Sequence, residues 1–181
     1  SGFDGARPKP SPILSLFSFL YKKENVEFTL QFDDAPSEPI EIAHAVSVPS
    51  SFANINLSEP NISNLYKGVQ LIEVSLEEIA WGRSGDKGNK ANIGIIARHP
   101  NLLPHIWDTF SEEKIVEIFS HFLENDKIDR HYLPGISGVN YVLHDVLGGG
   151  GTTSLRNDPQ GKGYAQILLS CKISVPKNLL V

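Results

Sequence analysis

The sequence predicts an α+β fold: strand, helix, strand, strand, helix, strand over residues 69–181, behind a β-rich segment at residues 1–68. Three observations carry that prediction. Between Val26 and Phe32 apolar residues alternate strictly with polar ones, the period of a half-buried strand. Leu102, Leu103, Ile106 and Phe110, then Ile115, Ile118, Phe119 and Phe122, recur at helical spacing. Short strand-like stretches ended by turn residues, such as residues 128–133 before Pro134 and Gly135, read as further strands.

The elements follow in order. Pro8, Pro10 and Pro12 make a stiff, extended lead. Residues 13–21 predict a buried strand and residues 22–25 a polar turn, so that residues 26–32 complete a hairpin. Residues 33–39 read as a loop and 40–48 as another strand. Residues 49–68, rich in Pro, Ser and Asn and without a period, predict a linker or an irregular wrap. Farther on, residues 70–81 hold strand-like material around a short acidic stretch, and residues 92–97 predict a buried strand. Pro104 fits a helix only in its first turn. Ser111 suits an N-cap, with Glu112 and Glu113 at the positive end of the helix that follows. Residues 139–146 favour a strand. Asp158 predicts a cap, with Pro159 at the first position of a helix reaching residue 169, and residues 172–175 close the domain as a strand. That order is the split β-α-β pattern of a ferredoxin-like βαββαβ sandwich, with both helices on one face of an antiparallel sheet. The architecture names no function.

Composition narrows the function classes. The 181 residues are 40% apolar and 20% charged, a globular balance. A formal net charge of −5 weighs against a nucleic-acid partner, because phosphate contacts need a basic face. Cys171 is the single cysteine, which rules out an intrachain disulfide or a structural zinc site, and it reads as an inert core residue. No apolar run is long enough to span a bilayer. The expectation is a cytoplasmic protein with no membrane partner, no metal and no cofactor. The sequence holds no methionine, even at position 1. It is therefore expected to be part of a longer protein, with residues 1–68 the end of a larger domain.

Three stretches are candidates for chemistry. Residues 83–92 pack Arg83, Ser84, Asp86, Lys87, Asn89 and Asn92 around two glycines, between apolar flanks. Glycines expose backbone N–H groups, which form anion-binding concavities. A hairpin turn with solvated charges is the other reading, and both stay open. Residues 147–156 carry four consecutive glycines, three hydroxyls and Arg156, with Gly150 inside the run. They form either a carboxylate or phosphate loop or a flexible connector; neither the P-loop nor the dinucleotide pattern is met. His144 and Asp145 adjoin that loop, but neighbours on a strand point to opposite faces and are not expected to pair. Asn140 would share the face of His144. Trp81 and Trp107 fit core positions better than a base-stacking platform.

Taken in order, these stretches resemble one family. Residues 81–89 with 91–94 (WGRSGDKGN and ANIG), Tyr132-Leu133-Pro134-Gly135, residues 140–145 (NYVLHD), the glycine run and residues 154–162 (SLRNDPQGK) are similar to the C-terminal region of AtuA-like proteins, the acyclic terpene utilisation family. The resemblance spans residues 69–176 as a ferredoxin-like domain, and residues 7–20 resemble the end of the domain that precedes it. It implies a role beside acyl-CoA chemistry in the breakdown of citronellol- and geraniol-type terpenoids, and it supplies no catalytic residues. Two function classes follow. In one, the loops at 83–92 and 148–156 converge on an anionic or acyl-CoA ligand. In the other, the domain is a dimerising homo-oligomer module or docks on the preceding domain.

Overall fold

The computed structural model describes residues 12, 17, 19–41, 58–62, 68–151 and 153–180. The chain divides into two units, residues 17–57 and the remainder. In the smaller unit, β1 (Thr29–Leu30) pairs antiparallel with β2 (Glu38–Pro39) after a 3-10 turn at Lys23–Asn25. The predicted strand at 26–32 thus contributes two residues, and its partner lies after it rather than before it. Val26, Phe28, Leu30 and Phe32 are all exposed, and a two-stranded ribbon has too little area to bury its own apolar stripe. Most of the expected strands at 13–21 and 40–48 lies outside the described residues.

The larger unit is α+β. Its elements are β3 (Leu71–Ser75), α1 (Leu76–Ile79), β4 (Ala80–Lys87), β5 (Lys90–Ala97), α2 (Leu103–Thr109), α3 (Glu112–Phe119), β6 (Ile128–Leu133), β7 (Gly138–Leu143), α4 (Tyr164–Leu169) and β8 (Lys172–Pro176). From β5 onward the order is strand, helix pair, strand, strand, helix, strand, as the sequence predicts. Hydrogen bonding assigns the strands to two antiparallel sheets, a four-stranded one in the order β4-β5-β7-β6 and a β3-β8 ribbon. The stretch at 70–81 is two strands split by α1, where the Glu78 carboxylate accepts from the backbone N–H and hydroxyl of Ser75 at 2.8 and 2.7 Å. Those bonds lower the Glu78 pKa.

One face of the larger sheet is the core. Ala80, Ile93, Ile95, Val139, Tyr141 and Leu143 from the strands bury against Leu103, Ile106, Ile115, Phe119, Tyr164 and Leu168 from the helices, and against Ile173 and Val175 of β8. Helix positions follow the sequence closely: Pro104 lies in the first turn of α2, and the Ser111 hydroxyl accepts from Lys114 N at 3.3 Å to cap α3. Helix α4 is shorter than expected. Gly161 sits at φ +60, which breaks the helix. Asp158 instead ties a turn, its carboxylate accepting from Lys162 N at 3.0 Å and Gly163 N at 2.7 Å.

Candidate functional site

The opposite face of the four-stranded sheet carries the candidate site, and register alone lays it out. Side chains of paired residues share a face, with rows about 7 Å apart along a strand. Trp81, Ile96, Gly138 and Leu133 form one row; Arg83, Gly94, Asn140 and His131 the next; Gly85, Asn92, Val142 and Asp129 the third. Lys87 and Lys90 stand opposite each other at the hairpin end. The face therefore changes from apolar to polar along its length.

Two concavities occupy it. A trough of about 220 Å3 has Trp81, Ile96, Leu133 and Ile136 among its walls and Gly94 in its lining. These four apolar side chains are exposed, Trp81 by 53%. The sequence placed Trp81 in the core; in β4 the even positions face inward, so Trp81 faces out. Its ring lies under the Arg98 guanidinium, 4.6 Å from centroid to Cζ. A second recess of about 340 Å3 is lined by Arg83, Ser84, Gly85, Lys87, Asn92, Gly94 and Lys162. Arg83 and Gly94 line both, so trough and recess adjoin.

The polar residues divide by task. Arg83 and Lys87 are exposed. Lys162 reaches Asp86 at 3.7 Å. Ser84 is structural: its buried hydroxyl donates to Lys162 O at 3.0 Å and accepts from Ala165 N at 2.9 Å, which satisfies the first turn of α4. Ser84→Ala is expected to destabilise the domain by about 1–3 kcal/mol through the N–H it strands, read as a lower urea midpoint at unchanged slope. Asn92 Nδ2 donates to Asn140 Oδ1 at 3.1 Å and fixes both amides on the open face. His144 Nε2 lies 2.6 Å from Asp129 Oδ2. That bond is the main reason the Asp129 carboxyl stays below its ordinary range. Asp145, in the turn after β7, is instead held by Asn89 and Asn125. Sequence reasoning missed Asp129; the signal was its place on the strand at 128–133, two residues from His131 on the same face.

The model of the AtuA ferredoxin-like domain family matches residues 74–174, more than half of the chain. This protein belongs to that family. No curated protein and no solved structure gives a match.

In this AtuA ferredoxin-like domain the two glycine-rich stretches meet, through backbone and the Asn89 side chain. Residues 83–92 are strand, turn and strand, with Gly88 and Asn89 as the turn. Asn89 O accepts from Val146 N and Leu147 N at 3.1 and 3.3 Å. Its side chain donates to Asp145 Oδ1 at 3.1 Å and accepts from Gly149 N at 2.7 Å. Gly150, at φ +71, packs on the Gly88 carbonyl. Of the sequence candidates, Arg83, Ser84, Lys87 and Asn92 line one recess. Asp86 adjoins it through Lys162, Asn140 adjoins it through Asn92, and Asn89 and Gly150 lock a turn to a loop. Arg156 lies elsewhere, its Cζ 5.8 Å from the Phe122 ring, and lines a separate depression with Phe122, Leu155 and Tyr164. None of these three concavities is lined by both Arg83 and Arg156. Among the described residues no group of His, Cys, Asp and Glu has the arrangement of a metal site, and no helix is long and apolar enough to cross a membrane.

Proposed function

We propose that this is an accessory domain that binds a small amphipathic anion on the open face of its four-stranded sheet, in the setting of acyclic terpenoid catabolism. The apolar part of the ligand occupies the trough and its charge meets Arg83. Acyl-CoA thioesters and free terpenoid acids are the candidates the family suggests. The observation that carries the reading is the shared wall: Arg83, an exposed guanidinium, stands between an apolar trough and a polar recess. Together the two volumes reach the range of small-molecule sites, about 300–1,000 Å3.

A ligand that binds only the folded state raises the unfolding midpoint, by about 2.7 kcal/mol of stabilisation at 100 times its Kd. Acyl-CoAs, terpenoid acids and inorganic phosphate should be compared on the wild-type chain and on Arg83→Ala. The expected result is a rise with the preferred ligand that is lost in Arg83→Ala, with the ligand-free midpoint nearly unchanged because Arg83 is exposed. A full ligand shift in Arg83→Ala would sink the reading.

A second reading rests on Trp81, Ile96, Leu133 and Ile136, an exposed apolar group suited to docking. The neighbouring cations make an acidic surface on a partner domain a better fit than a second copy, which brings Arg83, Lys87 and Lys90 near their own kind. Self-association at high concentration that Trp81→Ala abolishes would favour a homodimer through this face.

A further inference from the structure

The charge of the recess and its junction with the trough together specify the ligand more closely. Arg83, Lys87 and Lys162 line the recess, and the nearby Asp86 carboxylate approaches only Lys162. Three cations against one carboxylate leave two formal positive charges uncancelled. Lys90 stands directly across the hairpin from Lys87, a like-charge pairing that destabilises a sheet unless an anion offsets it. The Lys162 ammonium lies over the edge strand at Gly85, 3.0 Å from where a Cβ would stand. A carboxylate brings one negative charge and two acceptor oxygens. A phosphate monoester brings about −1.5 to −2 at neutral pH and three acceptor oxygens, the closer match.

The junction limits what joins head to tail. Trough and recess share Arg83 and Gly94, so they meet directly at one wall. Trp81 and Arg83 are two residues apart on one strand, about 7 Å. A coenzyme A thioester separates its acyl chain from its phosphates by the long pantetheine arm, with two amides that need partners along the way. We infer that the recess takes a phosphate dianion bonded directly to a short aliphatic chain, an alkyl phosphate monoester, with the chain in the trough. This rests on the open face being a ligand site, and it sets the head group and connectivity that the broader reading leaves open.

The test is calorimetric titration of the full chain near neutral pH with hexyl phosphate, hexanoate, inorganic phosphate and hexanoyl-CoA. Hexyl phosphate is expected to bind roughly 10-fold or more tightly than either hexanoate or inorganic phosphate, since charge-assisted bonds and chain burial each contribute. Lys162→Gln and Lys87→Gln should reduce the preference over hexanoate, and Trp81→Ala the preference over inorganic phosphate, with unfolding midpoints recorded for each variant. Acidification from neutral pH to about pH 5 should weaken hexyl phosphate as its second proton binds near pH 6. The charged and titratable groups at this face are Arg83, Lys87, Lys90, Arg98, Asp129, His131, His144 and Lys162, with Asp86 joined to it through Lys162. Hexanoate binding as tightly as hexyl phosphate, or hexanoyl-CoA binding more tightly than both, overturns the inference and leaves the amphipathic-anion reading standing. No binding by any of the four, on a chain shown to be folded, overturns both.

Discussion

Replacing Gly150 by alanine is expected to destabilise the domain by roughly 3 kcal/mol, a drop in midpoint of about 6–12 °C for a chain of this size. Two terms combine. Gly150 sits at φ +71, where an L side chain costs about 1–2 kcal/mol. The added Cβ also runs into the carbonyl of Gly88, which is backbone and has no rotamer to escape into. Relief requires the loop at 148–151 to lift off the β4-β5 turn, and that strains the bonds from Val146 N and Leu147 N to Asn89 O. Gly151→Ala is the internal control. Gly151 also has positive φ, at +49, but a Cβ there meets nothing within 4 Å. Its cost should be the conformational term alone, about 1 kcal/mol. Equal losses at the two positions in urea unfolding would show that the contact with Gly88 carries no energy. Since neither glycine lines the trough or the recess, ligand binding by the remaining folded Gly150→Ala protein should be unchanged.

The legible parts of the fold were those in which one local signal decides. The apolar stripes from Leu102 to Phe122 gave both helices, because a 3.6 period and a Ser cap leave little choice. The strand at 128–133 was bounded by its flanking Pro and Gly. Residues 80–87 were harder. Ala-Trp-Gly-Arg-Ser-Gly-Asp-Lys has two glycines, three charges and weak β propensity, and it is a strand because β5 pairs along its whole length. Ending the strand-like stretch at residue 81 and treating residues 83–92 as a separate glycine-rich stretch hid the alternation that runs through both, so Trp81 was expected inside and Ser84 at a ligand, when each faces the other way. The same limit applied to Arg156. Proximity of two glycine loops in sequence logic says nothing of where their side chains lead, and the Phe122 ring takes that guanidinium. At the candidate site, Arg83, Lys87 and Asn92 were legible from residue type. Asp129 was overlooked although it lies on a predicted strand, because its pairing with His144 depends on how β6 and β7 are registered, and Lys162 was not legible because it reaches the recess from the turn before α4.

Asn89→Ala should cost about 2 kcal/mol, and its behaviour beside Gly150→Ala tests whether turn and loop form one latch. The Asn89 amide donates to Asp145 Oδ1 and accepts from Gly149 N. Asp145 depends on that support: it is a non-glycine residue at φ +45, held by Asn89 at 3.1 Å and Asn125 Nδ2 at 2.8 Å. Removing the amide leaves a strained residue with one partner fewer, and Gly149 N without its acceptor. Asn89→Asp separates the two bonds. It keeps an acceptor for Gly149 but sets a second carboxylate against Asp145, and like charges raise each other's pKa. A folded-state pKa raised above the unfolded value means the loss is full at neutral pH and shrinks as the pair takes up a proton on acidification. Asn89→Ala has no such charge pair and should show no comparable recovery relative to wild type. In the double variant with Gly150→Ala, the second change acts on a contact the first has already opened, so the combined loss should fall short of the two single losses added together by more than about 0.5 kcal/mol. Strict additivity would mean that the backbone contact and the Asn89 amide hold the loop independently, and that residues 88–89 and 145–150 are neighbours rather than one locked unit.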